Sequence, residues 1–372
     1  MTPLTTANPL AAYRAQQAEL DAALRGVLEG GQYVLGETVS AFERDFASWH
    51  GAAHGVGVAN GTDALHLGLR ALDLKPGDEV IAPSLTAVAT VAAIEMTGAV
   101  PVLADIEPAF CTLAPAAVAA AISPRTRAVL AVHLYGQPAD VESLAALCAL
   151  HGLALVEDCA QAHGARLQGR RVGTRGHFAA FSFYPTKNLG ALGDAGLVLT
   201  DDAPLAERVA RLRQYGWVEA QHSVEPGWNS RLDPLQAAVL SVKLQRLEAN
   251  NARRRELAAR YTAGLASLPL ELPRVRPGGE HVFHLYVVRC ADRTSRDGLL
   301  AHLAGQGIRA AVHYPRGVHE QPGYADRLRS TSLDETGKVT ATALSLPLYP
   351  ELGEVDQARV ITAVRGYFGA RG

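Results

Sequence analysis

The stretch FSFYPTKNLGALGDAG, residues 181–196, joins an apolar, strand-like run to a glycine-rich segment that leads into a second strand, Leu197–Thr200. A Tyr-Pro turn ends the first run, and Lys187, the only lysine between Lys75 and Lys243, follows the turn. Burial at a strand end disfavours the charged form of a lysine, and the neutral amine is a nucleophile able to form a Schiff base. A solvated loop lysine is the alternative, because most lysines are exposed.

A second apolar strand, beginning near Leu153, ends in the acidic residue Asp158. In an open parallel sheet, the carboxyl ends of the strands face one ligand crevice, so Asp158 and Lys187 are predicted to meet there. This pair suits pyridoxal phosphate, because the lysine holds the cofactor and the aspartate keeps the pyridine nitrogen protonated. A purely structural ion pair is the alternative, since buried charges need partners.

Four motifs occur in a fixed order along the chain: Gly61-Thr62-Asp63-Ala64-Leu65, Glu157-Asp158 followed by Ala160-Gln161, Phe181-Ser182-Phe183 ahead of Lys187, and Asn229-Ser230-Arg231-Leu232. Together they resemble the DegT-type (DegT/DnrJ/StrS) sugar aminotransferases, which are fold-type I enzymes that use pyridoxal phosphate on nucleotide-linked keto sugars. The resemblance extends from Gly31 to the His313-Tyr314-Pro315 turn. The segments 86–90 and 184–190 are most similar to the branch that acts on dTDP-3-keto-6-deoxyhexoses.

The resemblance implies a role for each matched residue. Lys187 would carry the Schiff base and move protons, Asp158 would face the pyridine nitrogen, and Gln161 would meet the ring hydroxyl. The cofactor phosphate would lie between Gly61, Thr62, Asp63 and Ser182, with Asn229 reaching it from the neighbouring subunit of a homodimer. A glycine turn that opens a helix offers free N–H groups to a phosphate, although Thr62 could equally be a simple N-cap.

Six residues are candidates for contact with the substrate: Tyr33, His163, Tyr184, Arg231, His313 and Tyr314. Packing is an equally good explanation for Tyr33, and a core position is an equally good one for His163. The chain departs from many relatives at Ala87, where they place an aromatic residue over the cofactor ring. What covers that face of the ring therefore stays open.

Composition narrows the class of protein. The 372 residues are 48% hydrophobic and 19% charged, with a formal net charge of −2, which indicates a compact enzyme and neither a disordered nor a nucleic-acid-binding chain. Arg253-Arg254-Arg255 is interpreted as the solvated face of a helix. Four cysteines without paired spacing predict no disulfide, no metal site and a cytoplasmic location, and no apolar run reaches membrane-spanning length. His50 and His54 are assigned to a surface helix end.

Strands and helical segments alternate along the first part of the chain, which predicts an α/β fold with a mostly parallel sheet covered by helices. The large domain is placed at residues 1–250 and a small α+β C-terminal domain at residues 251–372. An amphipathic helix is expected from Tyr13 to Leu28. A long helix is expected to begin at Asp233-Pro234 and run to about Leu265.

The resemblance predicts transfer of an amino group from L-glutamate to the keto carbon, C3, of a dTDP-linked keto-6-deoxyhexose. Transfer at C4 is one alternative, and a sugar dehydratase, in which histidine replaces the lysine, is another. A non-catalytic regulatory relative would keep the fold. A nicotinamide dehydrogenase is suggested by Gly55-Val56-Gly57, but Asn60 occupies the third glycine position of that motif.

Overall fold

A computed structural model describes residues 3–325 and 327–369, and its centre is one mostly parallel sheet. The seven principal strands are β1 (His54–Val58), β2 (Glu79–Pro83), β3 (Val100–Ala104), β4 (Thr126–Val132), β5 (Ala154–Asp158), β6 (Phe178–Ser182) and β7 (Gly196–Thr200). Their order across the sheet is β3-β2-β4-β5-β6-β7-β1, with the short strand Arg329–Ser330 beside β3. Only β7 is antiparallel to its two neighbours. The predicted α/β fold with a mostly parallel sheet is confirmed.

Both faces of the sheet are covered, as its apolar strands require. In β7, Val198 packs with helices Gly61–Ala71 and Ala203–Leu212 on one face, whereas Leu197 and Leu199 pack with Glu37–His50 and Pro234–Leu244 on the other. The remaining helices are Pro9–Arg14, Gln17–Gly30, Val88–Glu95, Pro115–Ala121, Val141–His151, Leu247–Leu265, Arg293–Gly305, Asp334–Thr342 and Glu354–Gly369. None of the helices within the described ranges combines the length and apolar character needed to cross a membrane.

The C-terminal part of the chain has its own apolar cluster, in which Tyr261, Tyr286 and Leu299 are fully buried. Two antiparallel strands, Tyr286–Arg289 and Ala343–Leu346, form its small sheet. Two segments cross the predicted boundary at residue 250. Leu4–Thr5 pairs with Ile308–Arg309, and Arg329–Ser330 joins the edge of the large sheet. The division of the chain into residues 1–250 and 251–372 stays a prediction.

Several predicted helix bounds were wrong. The expected long helix is two helices, Pro234–Leu244 and Leu247–Leu265, which are separated at Gln245 and Arg246. The first buries Leu240 against the large sheet, and the second buries Tyr261 in the C-terminal cluster, so the chain turns between two cores without a proline or glycine to mark the turn. The N-terminal helix is likewise divided, into Pro9–Arg14 and Gln17–Gly30.

Two polar residues that were assigned to the surface are buried. His50 lies among the rings of Phe46, Trp49 and Phe181, because the helix that carries it packs against the sheet along its whole length. Arg254 donates hydrogen bonds from Nη1 to the carbonyl oxygens of Phe283 and Leu348, whereas its buried Nε has no partner among the described residues.

The close packing of helix Gly61–Ala71 on β6 yields a testable prediction. A Cβ atom added at Gly68 would lie 2.3 Å from the ring of Phe178, so Gly68→Ala should destabilise the apo-protein by about 1–3 kcal/mol. Gly26→Ala is the matched control, since nothing lies within 4 Å of its Cβ position in helix Gln17–Gly30 and the change should stabilise by about 0.5–1 kcal/mol. Urea unfolding followed by circular dichroism measures both, and shifts of the same sign would contradict the predicted crowding at Phe178.

Candidate active site

Two chemically complementary groups meet at the carboxyl ends of neighbouring strands. Asp158 ends β5, and Lys187 lies beyond the end of the adjacent strand β6, in a turn closed by a 2.8 Å hydrogen bond from the Lys187 N–H to the Tyr184 carbonyl. Burial lowers the pKa of Lys187 to about 8, and the negative charge of Asp158 opposes this shift. Both side chains are described, and no ion pair within 4.0 Å joins them. They therefore interact through their charges without forming a direct ion pair.

Asp158 is buried and receives two hydrogen bonds. The backbone N–H of Ala160 donates to Oδ1 at 3.0 Å, and the Thr90 hydroxyl donates to Oδ2 at 3.1 Å. Burial raises the pKa of Asp158, whereas these two hydrogen bonds and the charge of Lys187 favour the carboxylate. The carboxylate is thus held in one orientation by donors on both oxygens.

Gln161 connects the strand ends to the loop that carries His313 and Tyr314. Its Oε1 accepts from the backbone N–H of Tyr135 at 2.7 Å, and its Nε2 donates to the Tyr314 hydroxyl at 3.1 Å. The Tyr135 hydroxyl donates to the carbonyl of His313, whose Nδ1 lies 2.9 Å from the Ser345 hydroxyl. Burial raises the pKa of Tyr314 to about 12, and burial followed by the charge of Lys187 lowers the pKa of His313. The structure thus brings three predicted residues, Gln161, His313 and Tyr314, to the same region as Asp158.

The N-terminus of helix Gly61–Ala71 lies against the end of β6. A Cβ atom at Gly61 would be 2.5 Å from the Cβ of Ser182, so only glycine permits this approach. Asn60 caps the helix, because its Oδ1 accepts from the Asp63 N–H at 2.8 Å. Among the described residues, no acceptor is paired with the N–H groups of Gly61 and Thr62. These free N–H groups at the positive end of a helix, beside the Ser182 hydroxyl, form a suitable phosphate cradle.

Ser230, the middle residue of the Asn229–Arg231 segment, holds this segment beside the cradle through hydrogen bonds. Ser230 donates to Asp63 Oδ2 at 2.6 Å and accepts from the Ala59 N–H at 3.1 Å. Asp63, predicted as part of the cradle, therefore holds the neighbouring segment through its side chain. Asn229 is exposed and Arg231 is half-buried, so neither is enclosed by its own chain.

The remaining predicted residues lie in different environments. His163 is fully buried, its ring lies beside those of Phe181 and Phe183, and within the described ranges neither of its nitrogens has a hydrogen-bond partner. Burial, with the charge of Lys187 second, lowers the pKa of His163 to about 3. Tyr33 is 54% exposed and donates to the Leu28 carbonyl, and Tyr184 is 52% exposed. The structure of the single chain thus leaves both tyrosines at its surface.

Sequence reasoning did not identify Thr90, Tyr135 or Asn188 as site residues. Asn188 follows Lys187 and is anchored through its side chain to Asn251, at 2.9 Å, and to the Val282 carbonyl, at 3.0 Å. Its position next to the lysine was the only available signal. Thr90 reaches the site from the first turn of helix Val88–Glu95 and Tyr135 from the turn after β4, and a single hydroxyl in such a place is too common to be diagnostic.

His133, Glu157 and Cys159 could be taken for a metal site, because their ligand atoms lie within 4.8 Å of one another. However, His133 accepts from the Ala139 N–H through Nδ1 and donates to Glu157 through Nε2, both at 3.0 Å. Glu157 also accepts from the backbone N–H groups of Gly173, Arg175 and Gly176. The lone pairs are therefore used by internal hydrogen bonds that fix the end of β5.

The donor set suits pyridoxal phosphate. Lys187 provides an amine whose pKa burial lowers, Asp158 provides an oriented carboxylate, and the Gly61 turn with Ser182 provides a phosphate cradle. Three different elements carry these groups to one edge of the sheet. A buried lysine, a carboxylate or a helix N-terminus is common by itself. The site suits the cofactor because all three occur together.

Comparison with known proteins shows the family of the chain. Residues 14–365 match the sequence profile of the DegT/DnrJ/EryC1/StrS aminotransferase family. The dTDP-3-amino-3,4,6-trideoxy-alpha-D-glucose transaminase of Streptomyces venezuelae is 48% identical over 357 residues, which cover 95% of this chain and 93% of that protein.

Solved structures give the same result. The crystal structure of S. venezuelae DesV in complex with a ketimine intermediate has a TM-score of 0.95 and 47% identity, and the match covers 99% of each chain. The structure of ntda from Bacillus subtilis with bound cofactor PMP has a TM-score of 0.89 and 31% identity, covering 95% of this chain and 82% of that one. The predicted fold type and cofactor are confirmed. This chain belongs to the DegT/DnrJ/EryC1/StrS aminotransferase family and is a pyridoxal phosphate-dependent transaminase.

Proposed function

We propose that this transaminase moves an amino group from L-glutamate to the C3 keto carbon of a dTDP-linked keto-6-deoxyhexose. The observation that carries the proposal is the placement of Lys187 opposite Asp158, without a closed ion pair, at adjacent strand ends. The choice of sugar and carbon is supported by the 48% identical relative, whose name specifies a dTDP-3-amino sugar. Transfer at C4 and dehydration have no comparable support, and Lys187 occupies the position where a dehydratase would have histidine.

The bound cofactor supplies an electron sink for the carbanion that transamination requires. Lys187 would hold the cofactor and then carry a proton on Nζ, for which a pKa of about 8 suits exchange near neutral pH. Asp158 would face the pyridine nitrogen and Gln161 the ring hydroxyl. The N–H groups of Gly61 and Thr62, with the Ser182 hydroxyl, would bind the phosphate, and Asp63 would hold the Asn229–Arg231 segment beside it.

On the substrate side, His313 and Tyr314 would border the sugar, because their loop is fixed to Gln161 and Tyr135 next to Asp158. His163 would influence Lys187 without contacting the substrate, because the rings of Phe181 and Phe183 enclose it. Ala87 is half-buried at the start of helix Val88–Glu95. Its small side chain would leave one face of the cofactor ring to be covered by the substrate or by a second chain.

We further propose a homodimer whose active site includes residues of both chains, among them Asn229. Tyr215, whose N–H donates to the Trp228 carbonyl next to Asn229, begins a hairpin with exposed apolar side chains. Val218 is 50% exposed and Val224 is 56% exposed, and clustered exposed apolar residues mark association surfaces. A second copy would bury this hairpin and receive Asn229 at its own site. A cytoplasmic location is also proposed, supported by four cysteines that are all free.

The proposed chemistry is tested with Lys187→Ala. The variant should retain the fold and should fail to release 2-oxoglutarate from glutamate, because no amine remains to carry the proton. Release of 2-oxoglutarate and amination of a panel of dTDP-keto sugars are measured by mass spectrometry for both proteins. Wild-type turnover by the variant would contradict the role of Lys187, and wild-type amination at C4 alone would contradict the choice of carbon.

The pKa of about 8 predicts how fast the apo-protein captures the cofactor. Since only the neutral amine attacks, the rate should rise about tenfold per pH unit below this value and level off above it. Stopped-flow absorbance of pyridoxal phosphate measures the rate, with Lys187→Ala as the blank. A lysine of ordinary pKa would instead keep accelerating the reaction up to about pH 10.

The shared active site predicts complementation between two impaired chains. Lys187→Ala lacks the amine, and Asn229→Ala should bind the cofactor phosphate more weakly in the site of its partner. If Asn229 serves the partner, a mixed dimer contains one wild-type site and one doubly altered site, so activity at limiting cofactor should be restored on mixing. If Asn229 serves its own chain, mixing restores nothing. Each variant incubated alone is the control.

A further inference from the structure

A pair of buried hydroxyl groups leads to the carboxylate of Asp158. Thr86 and Thr90 lie after β2, at the entry to helix Val88–Glu95, and both are buried. The Thr90 hydroxyl donates to Asp158 Oδ2 at 3.1 Å, and the hydroxyl oxygens of Thr86 and Thr90 are 2.9 Å apart. Because the single hydroxyl proton of Thr90 is used on Asp158, Thr86 must be the donor to Thr90.

Asp158 needs this donor in order to remain ionised. Its surroundings remove it from water, and the charged form of a buried carboxyl is costly unless donors replace the lost hydration. Oδ1 has the Ala160 N–H, and Thr90 is the hydroxyl donor to Oδ2. The first turn of helix Val88–Glu95, which carries Thr90, adds the positive end of a helix dipole on the same side.

We propose that Thr90 is a positioning residue that keeps Asp158 ionised and aimed at the cofactor's ring nitrogen, and that Thr86 supports it by orienting the Thr90 hydroxyl. The inference rests on the proposed role of Asp158. With the cofactor bound, the ring nitrogen and the Asp158 carboxylate would share one proton. Loss of the Thr90 hydroxyl would leave Oδ2 buried without its donor, which would shift the shared proton toward Asp158 and weaken the charge-assisted contact.

The same geometry has a plainer explanation, in which Thr90 simply satisfies its own hydroxyl and packs its methyl group. The two explanations differ in their consequences. A packing role affects the stability of the apo-protein only, whereas a positioning role changes the protonation of the cofactor's ring nitrogen. The decisive measurement is therefore the protonation of the ring nitrogen, which can be read without turnover.

The experiment loads the full-length protein with pyridoxal phosphate labelled with ¹⁵N in its ring and records the nitrogen chemical shift. The dissociation constant of the cofactor from the apo-protein is measured by fluorescence titration. Thr90→Val should move the nitrogen resonance toward the unprotonated position and weaken cofactor binding about tenfold, the effect of a lost hydrogen bond to a charged group. Thr90→Ser keeps the hydroxyl and should restore both values.

Two further variants make the result specific. Thr86→Val leaves the Thr90–Asp158 hydrogen bond in place and should cause a smaller change of the same sign. Asp158→Asn tests the underlying role and should change both measurements more than Thr90→Val does. Thermal unfolding of each apo-protein establishes that it is folded, and Thr90→Ala replaces Thr90→Val if the valine variant does not fold.

The outcomes separate the two proposals. If Thr90→Val matches the wild type while Asp158→Asn changes both measurements, the role of Thr90 is overturned and that of Asp158 stands. If Thr90→Ser behaves like Thr90→Val, the methyl packing and not the hydroxyl is responsible, which also overturns the inference. If Asp158→Asn matches the wild type in both measurements, the role of Asp158 fails and that of Thr90 fails with it.

Discussion

The site depends on one balance, the partial removal of Lys187 from water against the attraction of Asp158. Burial favours the neutral amine, while the carboxylate favours its charged form, and the resulting pKa is about 8. A closer pair would form an ion bridge and fix the proton on the lysine, whereas a more distant one would leave a buried charge without a partner. Hydrogen bonds fix the Asp158 carboxylate, and the anchoring of Asn188 fixes the chain next to Lys187.

The sheet provides this separation. Parallel pairing of β5 with β6 sets their carboxyl ends side by side. The buried hydrogen bond between His133 and Glu157 fixes the residue next to Asp158 at the end of β5. The candidate phosphate cradle lies at the end of β1 and the start of the helix that follows it, and β7 lies between β1 and β6. The close approach of Gly61 to Ser182 thus follows from the pairing of the strands as well as from the absence of a side chain at Gly61. Positions that lie far apart in the chain are thereby brought to one edge.

The sequence predicted the principal strands, because fully buried parallel strands appear as short apolar runs with turns between them. It also singled out Lys187, Asp158, Gln161, Gly61 and Ser182 as candidates, since these stand at strand ends or glycine turns within recognisable motifs. The structure brings them to one edge of the sheet, and their roles stay predictions. Thr90 and Ser230 were not identified as contacts, because their hydrogen bonds join segments distant in the chain. The break after Leu244 and the burial of His50 were missed for a related reason. Both the helix break and the burial of His50 depend on which apolar core a residue faces. The local sequence shows no proline, glycine or charge pattern that indicates this.

The antiparallel position of β7 between β6 and β1 has a consequence for how the protein is made. Residues 54–58 of β1 pair with residues 196–200 of β7. During translation β1 is therefore synthesised well before the strand with which it pairs. Contacts between such distant segments form slowly, since a long loop must close first. Until then, the anion-binding end of helix Gly61–Ala71 has no Ser182 beside it. The nascent chain therefore completes this part of its candidate site only after residue 200 of 372, when the other principal strands of the sheet have already been synthesised.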